Sequence, residues 1–386
     1  MTFAQRTDHL RPEGAYQVLA RAQELAAGGK DIIHLEIGEP DFTTPQNVSS
    51  AGIEAIQAGK TRYNPPSGIP KLREAIADYA GRLRGIKVNP RQVVVGPGAK
   101  PILFFPTLAL VNPGDEVIYP DPGFPTYEAM VGIAGGIPRP VPLREENQFS
   151  FDLKAFDGLI SKKTRLIILN SPSNPTGGVM PRADLEHIAQ VAIERDCWVL
   201  ADEIYTQLVY DGLSAPSIAA LPGMAGRTII LDGFSKTYAM TGWRLGYGIM
   251  PEALADRVGL LLTPSVGCTA HFTQIAGVEA LNGPQDFVAM MVGQYQRRRD
   301  LMFDGLNRLP GVHCQKPQGA FYMFPNITGT GRSSAEVANL FLEHGVAVLP
   351  GPAFGSHGEG YLRLVFANSM ENISRALERM EQALKA

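Results

Sequence analysis

The chain has 386 residues, of which 45% are hydrophobic and 19% charged, with 41 Gly and 30 Pro. That composition supports a large apolar core, excludes a disordered or collagen-like protein, and at about 150 residues per domain is enough for two or three domains. A net charge of −3, from 35 Lys plus Arg and 38 Asp plus Glu with no block of about five or more like charges, gives no reason to expect a nucleic-acid partner.

The Gly and Pro surplus points to many shaped loops, where chemistry tends to sit. Cys197, Cys268 and Cys314 are an odd, scattered set without C-x-x-C, which argues against a disulfide framework and against a zinc site. No metal is expected. The first residues carry no apolar signal core, and the longest apolar stretch, Ile102 to Val111, is short for a bilayer and broken by Pro106. The expected setting is the cytoplasm, with no membrane partner. The basic run Arg297-Arg298-Arg299 reads as the wet face of a helix.

In chain order, Gln92 to Val95 is a β-branched run followed by a helix from about Pro101 to Val111. Asn112-Pro113-Gly114-Asp115 stops that helix and opens a strand at Glu116 to Tyr119. A helix over Pro125 to Ile133 and a strand over Ile137 to Val141 follow, and Asp152 is placed to cap a short helix. Arg165 to Leu169, Trp198 to Ala201 and Thr228 to Leu231 are apolar throughout, as strands covered on both faces should be. A helix from Pro181, at its first position, to about Arg195 lies between the first two, and Gly246 to Met250 fits a further strand. This βαβα order predicts a doubly wound, mostly parallel α/β domain over residues 46–285.

Beyond about Gly283 the order becomes mixed. A long helix spans Pro284 to Leu309, then come Phe321 to Phe324, a helix near Ser334 to His344, strands at Val346 to Leu349 and Tyr361 to Phe366, and a closing helix from Glu371. Residues 286–386 are expected to form a smaller α+β domain together with the N-terminal segment 1–45.

Several familiar motifs fail. In Gly96-Pro97-Gly98-Ala99-Lys100-Pro101 a proline replaces the third glycine of a dinucleotide fingerprint, and no acidic residue about 20 positions on stands in a strand-end context like the ribose-binding one. Walker A, H-E-x-x-H and a nucleophile elbow are absent.

The residues directly after each buried strand are more informative, because ligands of open α/β sheets bind beyond the carboxyl ends of the strands. After Leu169 comes Asn170-Ser-Pro-Ser-Asn174-Pro-Thr-Gly-Gly178; after Ala201 come Asp202, Glu203, Ile204 and Tyr205; after Leu231 comes Asp232-Gly-Phe-Ser-Lys236, leading to Arg244. One edge thereby gathers an amide, a carboxylate, a phenol, an amine and a guanidinium. Taken singly, each is more simply a cap, a solvated side chain or an ion-pair partner. Together they match the needs of pyridoxal 5′-phosphate (PLP): an amine for its aldehyde, a carboxylate for its ring nitrogen, a phenol and an amide for its phenolate oxygen, and an arginine for its phosphate.

Asn174-Pro-Thr-Gly, Ala201-Asp-Glu-Ile-Tyr205 and Ser235-Lys-Thr-Tyr-Ala-Met-Thr-Gly-Trp-Arg244 resemble the signatures of class I/II aminotransferases of PLP fold type I. The likeness runs from Leu35-Glu-Ile-Gly-Glu-Pro-Asp-Phe42 to Arg363-Leu-Val-Phe-Ala-Asn-Ser369. It implies that Lys236 is the Schiff-base lysine and the proton carrier, that Asp202 pairs with the ring nitrogen, and that Tyr205 and Asn174 hold the phenolate oxygen. Arg244 would bind the phosphate with Ser235 and the amides of Gly98, Ala99 and Lys100 at a helix start. Phe124 would stack on the ring; its simpler reading is a core residue. Arg363 would hold the substrate carboxylate with Asn174 and the Gly38 backbone alongside. Tyr63 would reach the phosphate of a partner subunit, implying a homodimer with shared sites. The implied reaction moves the amino group of an L-amino acid to a 2-oxo acid such as 2-oxoglutarate.

Two departures from the pattern stand out. Gly233 occupies a position where many relatives have a phosphate-contacting serine. Lys100 matches a lysine that reads a second substrate carboxylate in one aspartate subgroup, yet Glu13 and Ala15 replace the Ser and Thr that assist it. An uncompensated Glu13 would repel an acidic substrate, and Tyr16 is then placed to face an apolar or aromatic side chain or simply to pack on Val18 and Leu19. The donor therefore stays open between aspartate and a neutral or aromatic amino acid. A β-eliminating C–S lyase on the same scaffold is the nearest alternative, and a PLP-sensing regulator a distant one.

Overall fold

The computed structural model describes residues 3–8, 10 and 12–385. Its strands in chain order are β1 (Ile33–His34), β2 (Val93–Gly96), β3 (Glu116–Asp121), β4 (Ile137–Pro142), β5 (Thr164–Asn170), β6 (Trp198–Asp202), β7 (Thr228–Gly233), β8 (Gly246–Ile249), β9 (Tyr322–Met323), β10 (Val346–Ala347), β11 (Leu349–Pro350) and β12 (Leu362–Val365). Seven of them form one sheet in the order β2-β8-β7-β6-β5-β3-β4. Only β8 runs against its neighbours, pairing antiparallel with both β7 and β2. The sheet is buried on both faces: β2, β3, β7 and β8 are buried at every position. This explains their unbroken apolar runs, since water reaches neither side.

Register brings the chemistry to one edge. Asn170 of β5 lies opposite Asp202 of β6, which lies opposite Leu231 of β7. Because β8 is antiparallel, its first residue, Gly246, lies beside the last residues of two strands, Gly233 and Gly96. Lys236 leaves β7, Arg244 enters β8 and Gly98 leaves β2 at that same edge. Glycine is required at the junction, where a Cβ on Gly246 would lie 2.5 Å from the Ala99 amide nitrogen. The same crowding explains Gly233: a Cβ there would lie 3.0 Å from Gly246 Cα and 3.2 Å from the Leu245 carbonyl. A serine fits here only if the β7–β8 approach widens by a few tenths of an ångström.

The remaining strands are short. β1 pairs in parallel with β10, so residues 33–34 join residues 346–347, while β11, β12 and β9 form a three-stranded antiparallel sheet. The single strand expected over Val346 to Leu349 is thus two, parting at Val348 to serve different sheets. Pro181 is the N-cap of helix Arg182–Glu194 and not its first residue. Asp152 does cap its helix, accepting from the Ala155 amide at 3.0 Å.

Helices Gly14–Ala27, Gln46–Gln57, Pro70–Arg84, Glu252–Ser265 and His271–Asn282 were not foreseen in the sequence. The arginine run also differs from expectation. Arg298 and Arg299 are buried, the first paired with Asp41 and the second with Asp211 and Asp300. Among the described residues no helix is long and apolar enough to cross a membrane.

Candidate active site

A cavity of about 600 Å³ opens at the carboxyl edge of the large sheet. Its lining includes Gly38, Ala99, Lys100, Phe124, Asn174, Asp202, Tyr205, Ser235, Lys236, Arg244 and Arg363, and Glu13, Ala15 and Tyr16 form part of its mouth. Gly98 adjoins it, since a Cβ on this residue would meet Arg244 Nη2 at 2.4 Å. Of the residues singled out in the sequence, only Tyr63 lies elsewhere. It is 96% exposed and lines a separate groove with Lys60, Asn64 and His271.

Lys236 Nζ donates to the Gly38 carbonyl at 2.6 Å. The Gly38 carbonyl thus faces the amine, and Gly38 lines the same cavity as Arg363, whose Nη2 donates to the Glu36 carbonyl. Burial lowers the Lys236 amine from 10.5 to about 8, with Arg363 and Arg244 adding to the effect and Glu39 opposing it. A neutral amine is thus accessible near neutral pH, as a nucleophile or base needs.

Asp202 ends β6 and is buried. Desolvation raises its carboxyl from 3.8 to about 6, against hydrogen bonds from Tyr127 and the Ile204 amide. Tyr127 Oη donates to Asp202 Oδ2 at 2.7 Å, and its ring packs edge-on against Phe124 with centres 5.7 Å apart. No cation faces this carboxylate as a hydrogen-bond partner among the described residues. A cationic ring nitrogen would supply what burial has removed.

Beneath the floor lies a second charged cluster. Buried Arg84 pairs with Glu203 at 2.5 Å and with Asp232 at 2.6 Å, while Ser217 and Tyr247 donate to the same two carboxylates. It ties the residue after Asp202 to the strand that delivers Lys236. Breaking such a buried pair typically costs about 3–5 kcal/mol, so this cluster holds the floor in register.

At one pole of the cavity, Arg363 is buried between two rings, 4.8 Å from the centre of Tyr322 and 4.7 Å from that of Phe354. Burial lowers its pKa from the usual arginine value, although it remains a cation. Nη1 donates to Asn174 Oδ1 at 3.2 Å, and Nε has no partner among the described residues. That bond also fixes Asn174: with its oxygen turned to Arg363, its amide hydrogens face away. Tyr205 and Tyr322 share a 2.6 Å hydrogen bond between their hydroxyls, and desolvation holds both phenols protonated.

At the other pole, Arg244 adopts φ +54° and donates from Nη1 to the Thr241 carbonyl at 2.9 Å. Its guanidinium rests against Gly98, whose φ of +87° and missing side chain make the approach possible. Helix Lys100–Leu110 begins here with no side-chain cap; Pro101 has no N–H and the Ile102 and Leu103 amides donate to the Ala99 carbonyl, so the amides this helix start can offer an anion are those of Ala99 and Lys100. Ser235 completes this cradle.

Tyr127 and Tyr322 are site residues that the sequence motifs do not reveal. Neither belongs to a motif. A clue to the first was its place three residues after Phe124, whose carbonyl accepts from the Tyr127 amide at 3.0 Å as the helix begins; nothing local marked the second.

Fold and cavity define an α/β enzyme with an amine, a carboxylate and two guanidinium groups lining one cavity at the sheet edge. The family described as aminotransferase class I and II matches residues 30–380. An aspartate aminotransferase of Pyrococcus abyssi is 41% identical over 100% of this chain and 99% of its own length. Aromatic-amino-acid aminotransferase 2 of Thermococcus litoralis is 41% identical over 94% of each chain. The structure of Thermus thermophilus aspartate aminotransferase with maleate superposes with a TM-score of 0.95 at 37% identity, covering 99% of this chain and 100% of that one. The chain belongs to the class I and II aminotransferase family and is an aminotransferase, acting on amino acids and 2-oxo acids.

Proposed function

We propose that the enzyme transfers the amino group of an L-amino acid to 2-oxoglutarate in two half-reactions, with PLP held in the cavity at Lys236. The observation that carries this reading is the convergence of Lys236 and buried Asp202 between the two guanidinium poles, Arg244 and Arg363. The residues fit the group: the Gly98 cradle against Arg244, with Ser235 and the uncapped helix start at Ala99 and Lys100, suits a phosphate. Bound PLP supplies an aldehyde for the lysine and a cationic ring that takes up the electrons of a broken Cα–H bond.

Asp202, held by Tyr127, keeps the ring nitrogen charged. Tyr205 and the amide of Asn174 would hold the phenolate oxygen, and Phe124 would flank the ring. Arg363 grips the substrate α-carboxylate, which orients Cα–H toward Lys236. With the cofactor bound, Lys236 Nζ would be the group that holds and moves the substrate Cα proton. Its lowered basicity suits both directions of that transfer.

The exposed Tyr63 supports a homodimer in which it reaches the partner subunit's phosphate site. Residues 46–285 are proposed as the cofactor-binding unit and 1–45 with 286–386 as the smaller one, with the cytoplasm as the place of action. The named relatives are aminotransferases, which favours transfer over β-elimination. The test is to add single amino acids to the PLP-loaded protein without an acceptor. One equivalent of 2-oxo acid per site and loss of the visible absorption band are expected. A protein that cannot be loaded with PLP, or that releases ammonia with the oxo acid, overturns the proposal.

A further inference from the structure

The mouth of the cavity carries a charge pair that transamination chemistry does not require. Lys100 Nζ donates to Glu13 Oε1 at 2.5 Å, and Thr126 Oγ1 donates to the same oxygen at 3.4 Å. Both partners line the cavity that holds Lys236 and Arg363, and the Glu13 charge is near enough to act on the Arg363 guanidinium. Glu13 is thus not the uncompensated carboxylate considered from the sequence. Nor is it a helix cap: it stands at the N-cap position of Gly14–Ala27 without making a capping hydrogen bond. Its carboxylate is committed to Lys100. The helix start is seated by Gly14, where a Cβ would lie 2.9 Å from Ala353 Cβ on the turn Gly351–Phe354.

Ala15, Tyr16, Leu103 and Phe124 give the same cavity an uncharged part of its lining. Lys100 Nζ also sits 5.3 Å from the centre of the Phe124 ring.

We propose that Glu13 is a built-in competitor that occupies Lys100 and biases the site toward amino acids with uncharged apolar or aromatic side chains, so that acidic substrates bind only by displacing it. This rests on reading the cavity as an amino-acid site. With the pair closed, an uncharged side chain meets Tyr16, Leu103 and Phe124 and leaves the pair undisturbed. A side-chain carboxylate must instead take Glu13's place on the lysine, since two carboxylates around one cation repel each other. The pair is displaceable: the Lys100 side chain is 50% exposed and that of Glu13 29%, and exposed pairs are weak. A dicarboxylic 2-oxo acid is therefore admitted at a cost and not excluded. Specificity arises from a charge placed against the wrong substrate, not only from contacts to the right one.

The test uses the PLP-loaded enzyme as wild type, Glu13→Gln, Glu13→Ala and Lys100→Met. Two ratios are measured: kcat/KM for aspartate over phenylalanine, and calorimetric affinity for maleate over 3-phenylpropionate, neither of which can be transaminated. Removing the Glu13 carboxylate is expected to raise both ratios about tenfold or more, the scale of one charge-assisted contact. Glu13→Ala covers the case in which a glutamine amide rebinds Lys100. Lys100→Met leaves Glu13 unpaired and is expected to lower both ratios below wild type. Ratios within about twofold of wild type in both Glu13 variants overturn the inference, as does a wild type that already prefers aspartate and maleate. If no amino acid is turned over by any form, transamination itself fails, while the two calorimetric affinities still report on Glu13.

Discussion

Replacing Asp202 with Asn is expected to stabilise the ligand-free fold, by an amount that grows with pH. Asp202 is buried, and desolvation raises its carboxyl from 3.8 to about 6 despite the hydrogen bonds from Tyr127 and the Ile204 amide. The folded value lies above the unfolded one, so the folded chain binds the proton more tightly. Stability from this group is therefore fully present below about pH 4 and is lost as the pH rises toward 6. At about 1.36 kcal/mol per pH unit the loss reaches about 3 kcal/mol, roughly half of it already incurred at pH 5. Asn keeps an oxygen for Tyr127 and never ionises, but its amide hydrogens need acceptors. The net gain at pH 8 is accordingly expected near 1–2 kcal/mol, and about 1.4 kcal/mol larger than at pH 5.

Urea unfolding of both proteins without PLP, at pH 5, 6, 7 and 8 and one protein concentration, measures this. A difference that stays flat with pH, or that shrinks as pH rises, refutes the reasoning. Adding PLP should narrow or reverse the order, because only the carboxylate pairs with a cationic ring. A buried carboxylate that weakens the empty fold in this way is characteristic of a site kept for chemistry.

Arg363→Lys is expected to lower kcat/KM about 10–100-fold for every amino acid tested, because the lysine point charge cannot reproduce the planar fork between Tyr322 and Phe354. Steady-state kinetics with one aromatic and one aliphatic donor checks it; a loss confined to one donor contradicts the assignment. Gly233→Ser is expected to destabilise by about 1–3 kcal/mol without tightening PLP binding, since the added atom meets Gly246 Cα at 3.0 Å. Unfolding midpoints and PLP titration decide it, and an unchanged midpoint with tighter binding speaks against it.

Much of the site was legible because parallel strands announce themselves. β5, β6 and β7 are covered on both faces, so their apolar runs stand out; register aligns their ends, and Asp202 at the end of β6 with Asn174 and Lys236 a few residues beyond β5 and β7 line one cavity. One of the missed helices has a physical explanation as well. His271–Asn282 buries residues all round, small ones such as Gly277 against Leu245 among them, which blurs its apolar stripe. Tyr127 and Tyr322 act through partners 75 and 117 residues away, contacts that no local spacing encodes. Arg298 and Arg299 misled for the same reason, since Asp41 and Asp211 neutralise them from distant segments.

The central claim, that Lys236 is the residue joined to PLP, is tested most directly by borohydride reduction of the loaded enzyme and peptide mass mapping of the product. The account predicts one phosphopyridoxyl group per chain, on Lys236, and none in Lys236→Ala. A label on another lysine, or none on a protein that turns over amino acids, would contradict it.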